Sequence, residues 1–342
     1  MDKNVILAVA GSGKTTKIVS EIDENRRYLI LTYTEQNLKN IKHKVMSKFG
    51  HLPSNVTAMT YFTFLHSFCL QPLVGLKYNS KGINFEYDEV PPAGRFNQSQ
   101  DQYYIDAIGR FYVGRLAKFI SLRYFEGVIE RIERFFDVFC IDEIQDFASH
   151  DFDLILALAR AKVSMLLVGD FWQHTYDTSR DGGMKKTLYD DYAKYVAALR
   201  KASFLVDTES LSKSRRCSQA VCSFISSNLG ISILSEATRE AQVVQVDTKD
   251  EAMTLFAKPD VVKLFYKEHY KHRCHSQNWG GSKGEDHYDE VCVVLNAKTL
   301  RLYKQGELRK LPAATRNKLY VALSRSRGNV YLVPHTFMEG NR

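Results

Sequence analysis

Short unbroken apolar runs alternate along the chain with segments whose apolar residues recur at three- and four-residue spacing. VILAVA (5–10) precedes a helical pattern over residues 14–23, and YLILTYT (28–34) precedes another over residues 36–48. Strand, helix, strand is the rhythm of a parallel sheet, because parallel neighbours need a crossover that a helix supplies. A loop holding Pro53, an aromatic stretch over 56–68 and a Gly/Pro-bearing segment over 71–97 interrupt that rhythm before amphipathic helix returns over about 102–136. From the residues alone, 61–68 reads as a buried aromatic strand. Residues 71–136 read as a small, mainly helical insertion. Sheet order resumes at DVFCIDE (137–143) and VSMLLVGD (163–170), each with an acid at its C-terminal end, where doubly wound sheets bind ligands. From about residue 203 a second set begins, with FLVD (204–207), VVQV (243–246), EVCVVL (290–295) and NVYLV (329–333) as strands and 215–229 and 314–326 as helices. The pattern predicts an α/β protein of two domains, residues 1–200 and 201–342.

Charge narrows the partners. The 342 residues are 44% hydrophobic and 25% charged, an ordinary globular composition. Lys and Arg outnumber Asp and Glu by 47 to 39, and the resulting +8 favours a polyanion through phosphate neutralisation. The six cysteines follow no framework spacing and read as reduced thiols of a cytoplasmic protein. No apolar run approaches the ~18 residues of a spanning helix, so no membrane partner is expected. His269, His272, Cys274 and His275 match no common zinc spacing and read as a basic loop. Arg131 and Arg134 read as a solvated helix face.

The chemistry concentrates where strands end. VILAVAGSGKTT (5–16) breaks from an apolar strand into a Gly/Ser loop whose residues Ala10, Gly11, Ser12, Gly13, Lys14, Thr15 and Thr16 can cradle phosphates. Lys14 suits the β/γ oxygens and the Thr15 hydroxyl suits Mg²⁺; Ala8 stands where the general pattern has its first glycine. Asp142 and Glu143 close the strand of FCIDEIQD, which suits one carboxylate on Mg²⁺ beside Thr15 and a second that deprotonates the attacking water. In LVGDFWQHTY, Gln173 is positioned to sense a γ-phosphate, and Trp172 and Tyr176 offer stacking faces.

In motif order the chain resembles the UvrD/Rep-like superfamily 1 helicases, in a short form without the 2B insertion. AVAGSGKTT resembles motif I, LTYTEQNLKNI motif Ia, MTYFTFLHSF motif Ib, FCIDEIQD motif II and LVGDFWQHTY motif III. LSKSRRCSQAVCSFI resembles motif IV, GSKGEDHYDEV motif V and LYVALSRSR motif VI. The resemblance implies two RecA-like P-loop NTPase domains with parallel sheets and a reduced 1B insertion in the first. It implies that Arg216 and Arg325 reach the γ-phosphate of ATP and that Gly284 and Glu285 contact nucleotide. Thr32, Tyr33, Thr34, Phe64, His66, Trp172, Tyr176 and Ser282 are implied to line a single-stranded DNA channel. Few residues of this sequence precede the phosphate loop, so the family's adenine-reading glutamine element is not expected here, and Arg215 stands where relatives carry a stacking Tyr. The implied activity is ATP-dependent translocation on single-stranded or tailed DNA with 3′ to 5′ polarity. The alternative is a DNA-stimulated ATPase acting as a sensor or regulatory subunit beside a nuclease in anti-phage defence.

Overall fold

The computed structural model describes residues 2–86, 90–92, 94–175 and 187–338. The chain divides into two compact units: Met1–Ile6, Thr15–Val168 and Tyr176–Asp207 form the first, and Leu7–Lys14, Gly169–Thr175 and Thr208–Arg342 the second.

The first unit is built from β1 (Lys3–Leu7), α1 (Lys14–Ser20), β2 (Tyr28–Thr32), α2 (Glu35–Phe49), β3 (Val56–Thr60), α3 (Tyr61–Thr63), α4 (Gln71–Tyr78), the short pair β4 (Ile83–Asn84) and β5 (Phe111–Tyr112), α5 (Leu116–Arg123), α6 (Phe125–Phe135), β6 (Val138–Asp142), α7 (Ser149–Ala157), β7 (Ser164–Gly169), α8 (Tyr192–Lys201) and β8 (Leu205–Asp207). Its six-stranded sheet has the order β3-β2-β6-β7-β1-β8. β2 pairs in parallel with β3 and β6, β6 with β7, and β1 with β8. Every residue of β2 and of β6 is buried, as a parallel sheet covered on both faces requires.

Three expectations change here. FLVD, read as opening the second set of strands, pairs with β1 instead, Asn4 against Leu205 and Ile6 against Asp207. The helix expected over about 102–136 is broken: a 3₁₀ turn, β5 and α5 precede α6, with Gly109 at φ 91 turning the chain between them. Residues 61–78 are helical rather than strand, running from α3 through a π-helical segment, Phe64–Leu70, into α4.

Pro72 accounts for the wide turn. In α geometry its ring strikes the carbonyl four residues back, on Phe68, and it has no N–H to give that carbonyl. Arg131 Nε donates to the Phe68 carbonyl instead, at 3.1 Å, and its guanidinium lies 4.8 Å from the Phe68 ring. Arg131 is therefore partly buried rather than on a solvated face.

The second unit contains the short pair β9 (Lys213–Ser214) and β10 (Leu234–Ser235), then α9 (Gln219–Leu229), β11 (Val243–Gln245), α10 (Lys249–Ala257), β12 (Val261–Phe265), β13 (Ser276–Asn278), β14 (Glu290–Leu295), α11 (Ala297–Lys304), α12 (Ala313–Leu323) and β15 (Val330–Pro334). Its five-stranded sheet has the order β11-β15-β14-β12-β13, all parallel. Strand alternation serves two cores: Val291, Val293 and Leu295 pack with α9 and α12, whereas Cys292 and Val294 pack with α10. Among the described residues no helix is long and apolar enough to cross a membrane.

Candidate nucleotide-binding site

The phosphate loop leaves β1 and belongs, up to Lys14, to the second unit. Gly11 and Gly13 have φ of 71 and 94, backbone that side chains resist, so the loop can turn tightly enough to aim amides inward. Ser12 Oγ donates to the Val9 carbonyl at 2.8 Å and ties the turn to itself. A Cβ on Gly11 would stand 2.7 Å from the Arg216 Cβ and 2.8 Å from Ser214 Oγ, so glycine is what lets these segments meet. The Arg215 amide donates to the Gly11 carbonyl at 3.0 Å.

A buried polar chain supports the loop. The Ala10 amide donates to Tyr320 Oη at 2.8 Å, and Tyr320 Oη donates to Asp170 Oδ2 at 2.9 Å. Gln173 Nε2 reaches the same Asp170 oxygen at 2.9 Å, while Asp170 Oδ1 accepts the Trp172 amide at 3.1 Å. Burial raises the Tyr320 hydroxyl well above its ordinary pKa, so it stays protonated as a donor. Tyr320 lay in plain view within LYVALSRSR, yet composition gave no signal that its hydroxyl would meet the phosphate loop.

In the first unit, Thr15 Oγ1 donates to Asp142 Oδ2 at 2.8 Å, joining two hard oxygens from the start of α1 and the end of β6. Such a donor set fits Mg²⁺. Glu143 follows in the left-handed region, φ 62 and ψ 52, a conformation costly for a non-glycine residue and recurrent at functional sites. Its Oε2 accepts from Gln145 Nε2. Lys14 is buried and Thr16 exposed, its Oγ1 accepting from Lys44 Nζ at 3.2 Å.

The second unit also brings Arg216 and Arg325 together. Arg216 Nη2 donates to Asp286 Oδ1, and Arg325 Nη1 lies 3.6 Å from the same oxygen. Gly284 has φ 89, and Glu285 is partly buried, with one carboxylate oxygen 3.3 Å from His287 Nδ1.

The residues implied to touch DNA separate into groups. Thr32, Phe64 and Ser282 are fully buried. Phe64 stacks between Tyr61 and Phe68, and Ser282 Oγ donates to the Trp279 carbonyl, so these side chains serve packing. Thr34 is exposed and caps α2, accepting the Asn37 amide at 3.2 Å. Tyr33 is partly buried against Phe147, and His66 stacks on Phe62 at 5.7 Å. Trp172 is partly buried, with the Arg316 guanidinium 4.9 Å from its ring. Tyr176 lies outside the described residues. The histidines near 270 are engaged locally: His272 stacks on Phe265 at 3.9 Å, and His275 lies edge-on to Tyr288.

Two family profiles match the chain. One described as an AAA domain covers residues 2–179, and one described as a viral superfamily 1 RNA helicase core domain covers residues 117–333. Among solved structures, an arterivirus nonstructural protein 10 helicase in complex with DNA is similar at TM-score 0.50 and 14% identity, over 96% of this chain and 60% of that one. A second structure of an arterivirus nonstructural protein 10 helicase gives 0.49 and 15%, over 96% and 59%. The PRRSV helicase gives 0.46 and 14%, over 97% and 52%. The chain thus spans only part of the length of these helicases. No curated protein matches the sequence.

Proposed function

We propose a function from one premise: this chain belongs to the superfamily 1 helicases. It hydrolyses Mg-ATP and uses the cycle to track along single-stranded DNA, with the 3′ to 5′ polarity of the UvrD/Rep-like branch that its motif string resembles. Residues 10–16 cradle the phosphates, and Lys14 neutralises the β/γ oxygens. Thr15 and Asp142 would hold magnesium, which would supply positive charge where negative charge develops. Glu143 takes the proton of the attacking water on its carboxylate, and Gln145 orients that carboxylate. Arg216 and Arg325 stabilise charge spread over the equatorial phosphoryl oxygens, as planar guanidinium forks do. Gln173, fixed through Asp170 to Tyr320 and the Ala10 amide, registers the state of the loop. Tyr33, His66 and the Arg316-backed Trp172 are the side chains best placed to stack on bases without sequence preference.

One observation carries this reading: the two arginines converge on one carboxylate while Arg216 abuts the phosphate loop at Gly11. The test is ATP turnover titrated with single-stranded DNA and, in parallel, RNA, followed by displacement of a 3′-tailed duplex. Lys14→Ala, Glu143→Gln and Arg325→Ala should each lower turnover by about 100-fold or more in folded protein. Wild-type rates in these variants, or turnover indifferent to added strand, refute it.

A further inference from the structure

Asp286 has no role in the scheme above, yet both arginines are held on it. Its side chain is 56% exposed, whereas those of Arg216 and Arg325 are 12% and 2% exposed. Both arginines also donate to neutral carbonyls: Arg216 Nη1 to Ser324 at 3.1 Å, Arg325 Nε to Val321 at 3.2 Å and Arg325 Nη1 to Glu285 at 3.4 Å. Carbonyls satisfy N–H groups but do not neutralise charge, and a guanidinium withdrawn from water needs an anion. One Asp286 oxygen serves both. A carboxylate oxygen shared by two guanidinium forks makes the contact that a phosphoryl oxygen makes, since both anions suit the same planar donors.

We propose that Asp286 is a positioning residue that holds Arg216 and Arg325 in place of the γ-phosphate and yields them only to a nucleotide carrying a third phosphate. The inference rests on the reading of these two arginines given above. Asp286 is the exposed member of the trio, so it regains water when displaced and surrenders little. ADP lacks the oxygens that would take its place and leaves the latch closed. After hydrolysis and phosphate release the carboxylate recaptures both guanidinium groups, which resets the site instead of leaving it gripping product. Asp286 therefore weakens ATP binding without affecting ADP.

The experiment compares the dissociation constants of fluorescent ATPγS and ADP for the full chain, with KM for ATP measured alongside. Asp286→Asn should tighten ATPγS about three- to tenfold and leave ADP within about twofold, with KM falling in step. Glu236→Gln, at the neighbouring exposed pair with Arg215, is the control and should leave the ATPγS to ADP ratio unchanged. Removing a negative charge near a triphosphate can favour binding by simple field effects, so the Asp286→Asn gain is also measured in an Arg216→Ala/Arg325→Ala background. It should vanish there. An unchanged or weakened ATPγS affinity in Asp286→Asn, or a gain that persists without the arginines, overturns the proposal. If instead the arginine double variant binds ATPγS and hydrolyses ATP like wild type, the reading of the arginines is what fails.

Discussion

Tyr320→Phe removes one oxygen atom from a fully buried site. That hydroxyl accepts the Ala10 amide at 2.8 Å and donates to Asp170 Oδ2 at 2.9 Å, and all three residues are fully buried. A hydrogen bond to a charged acceptor contributes about 1.5–3 kcal/mol, and a buried amide left without its partner costs about 1–3 kcal/mol. Asp170 retains Gln173 and the Trp172 amide, so its charge is not stranded and the larger part of the cost falls on Ala10. The expected loss is about 3 kcal/mol. For a body the size of the second unit this lowers the melting midpoint by about 6–12 °C. The chain's two tryptophans, Trp172 and Trp279, both belong to that unit, so intrinsic fluorescence reports its unfolding directly. Because Ala10 is a loop residue, nucleotide affinity should fall together with the midpoint. A midpoint within about 1 °C of wild type, with unaltered nucleotide affinity, would show that the hydroxyl does not brace the loop.

Two further substitutions probe other features. Gly11→Ala forces a Cβ to within 2.7 Å of Arg216 and 2.8 Å of Ser214 at φ 71, so steric and backbone costs together should reach about 2–4 kcal/mol; thermal melts and nucleotide titration check it, and a wild-type result in both discounts the close approach. Burial pushes the Asp151 carboxyl up to about 7, against the hydrogen bond from Tyr61 at 3.2 Å, which pulls the other way. Between an unfolded value of about 3.9 and that folded value, the folded chain keeps a proton that the unfolded chain has released, so this group's contribution to stability is complete below about pH 4 and lost as pH rises to about 7. Asp151→Asn should flatten that slope, read as denaturation midpoints at pH 5 and pH 8; an unchanged slope removes the argument.

The phosphate loop and the acid-tipped strands were legible because each is contiguous. One apolar run ends, and the next few residues carry the chemistry. β8 was not, because a three-residue strand reveals nothing of a partner near the other end of the chain. The aromatic stretch after β3 misled through composition: Tyr and Phe favour strands, but Pro72 and the Arg131 contact on Phe68 select a widened helix, and Arg131 lies far along the sequence. Thr32, Phe64 and Ser282 sit inside recognisable motifs yet are enclosed, since a motif string does not say which of its side chains face inward. Asp286 and Tyr320 were equally visible as letters. Their parts depend on side chains converging from separate segments, which spacing does not encode.

The π-helical segment sets the phase of everything that follows it. An ordinary α-helix advances about 100° per residue, and the wider i to i+5 ladder absorbs a surplus residue without a break. A chain one residue longer between 64 and 70 would exceed what this wide turn absorbs and spin α4 by about 100°, carrying Val74 out of the apolar interior and Lys77 toward it. A ring-for-ring exchange in this stretch leaves the phase intact; a gained codon does not.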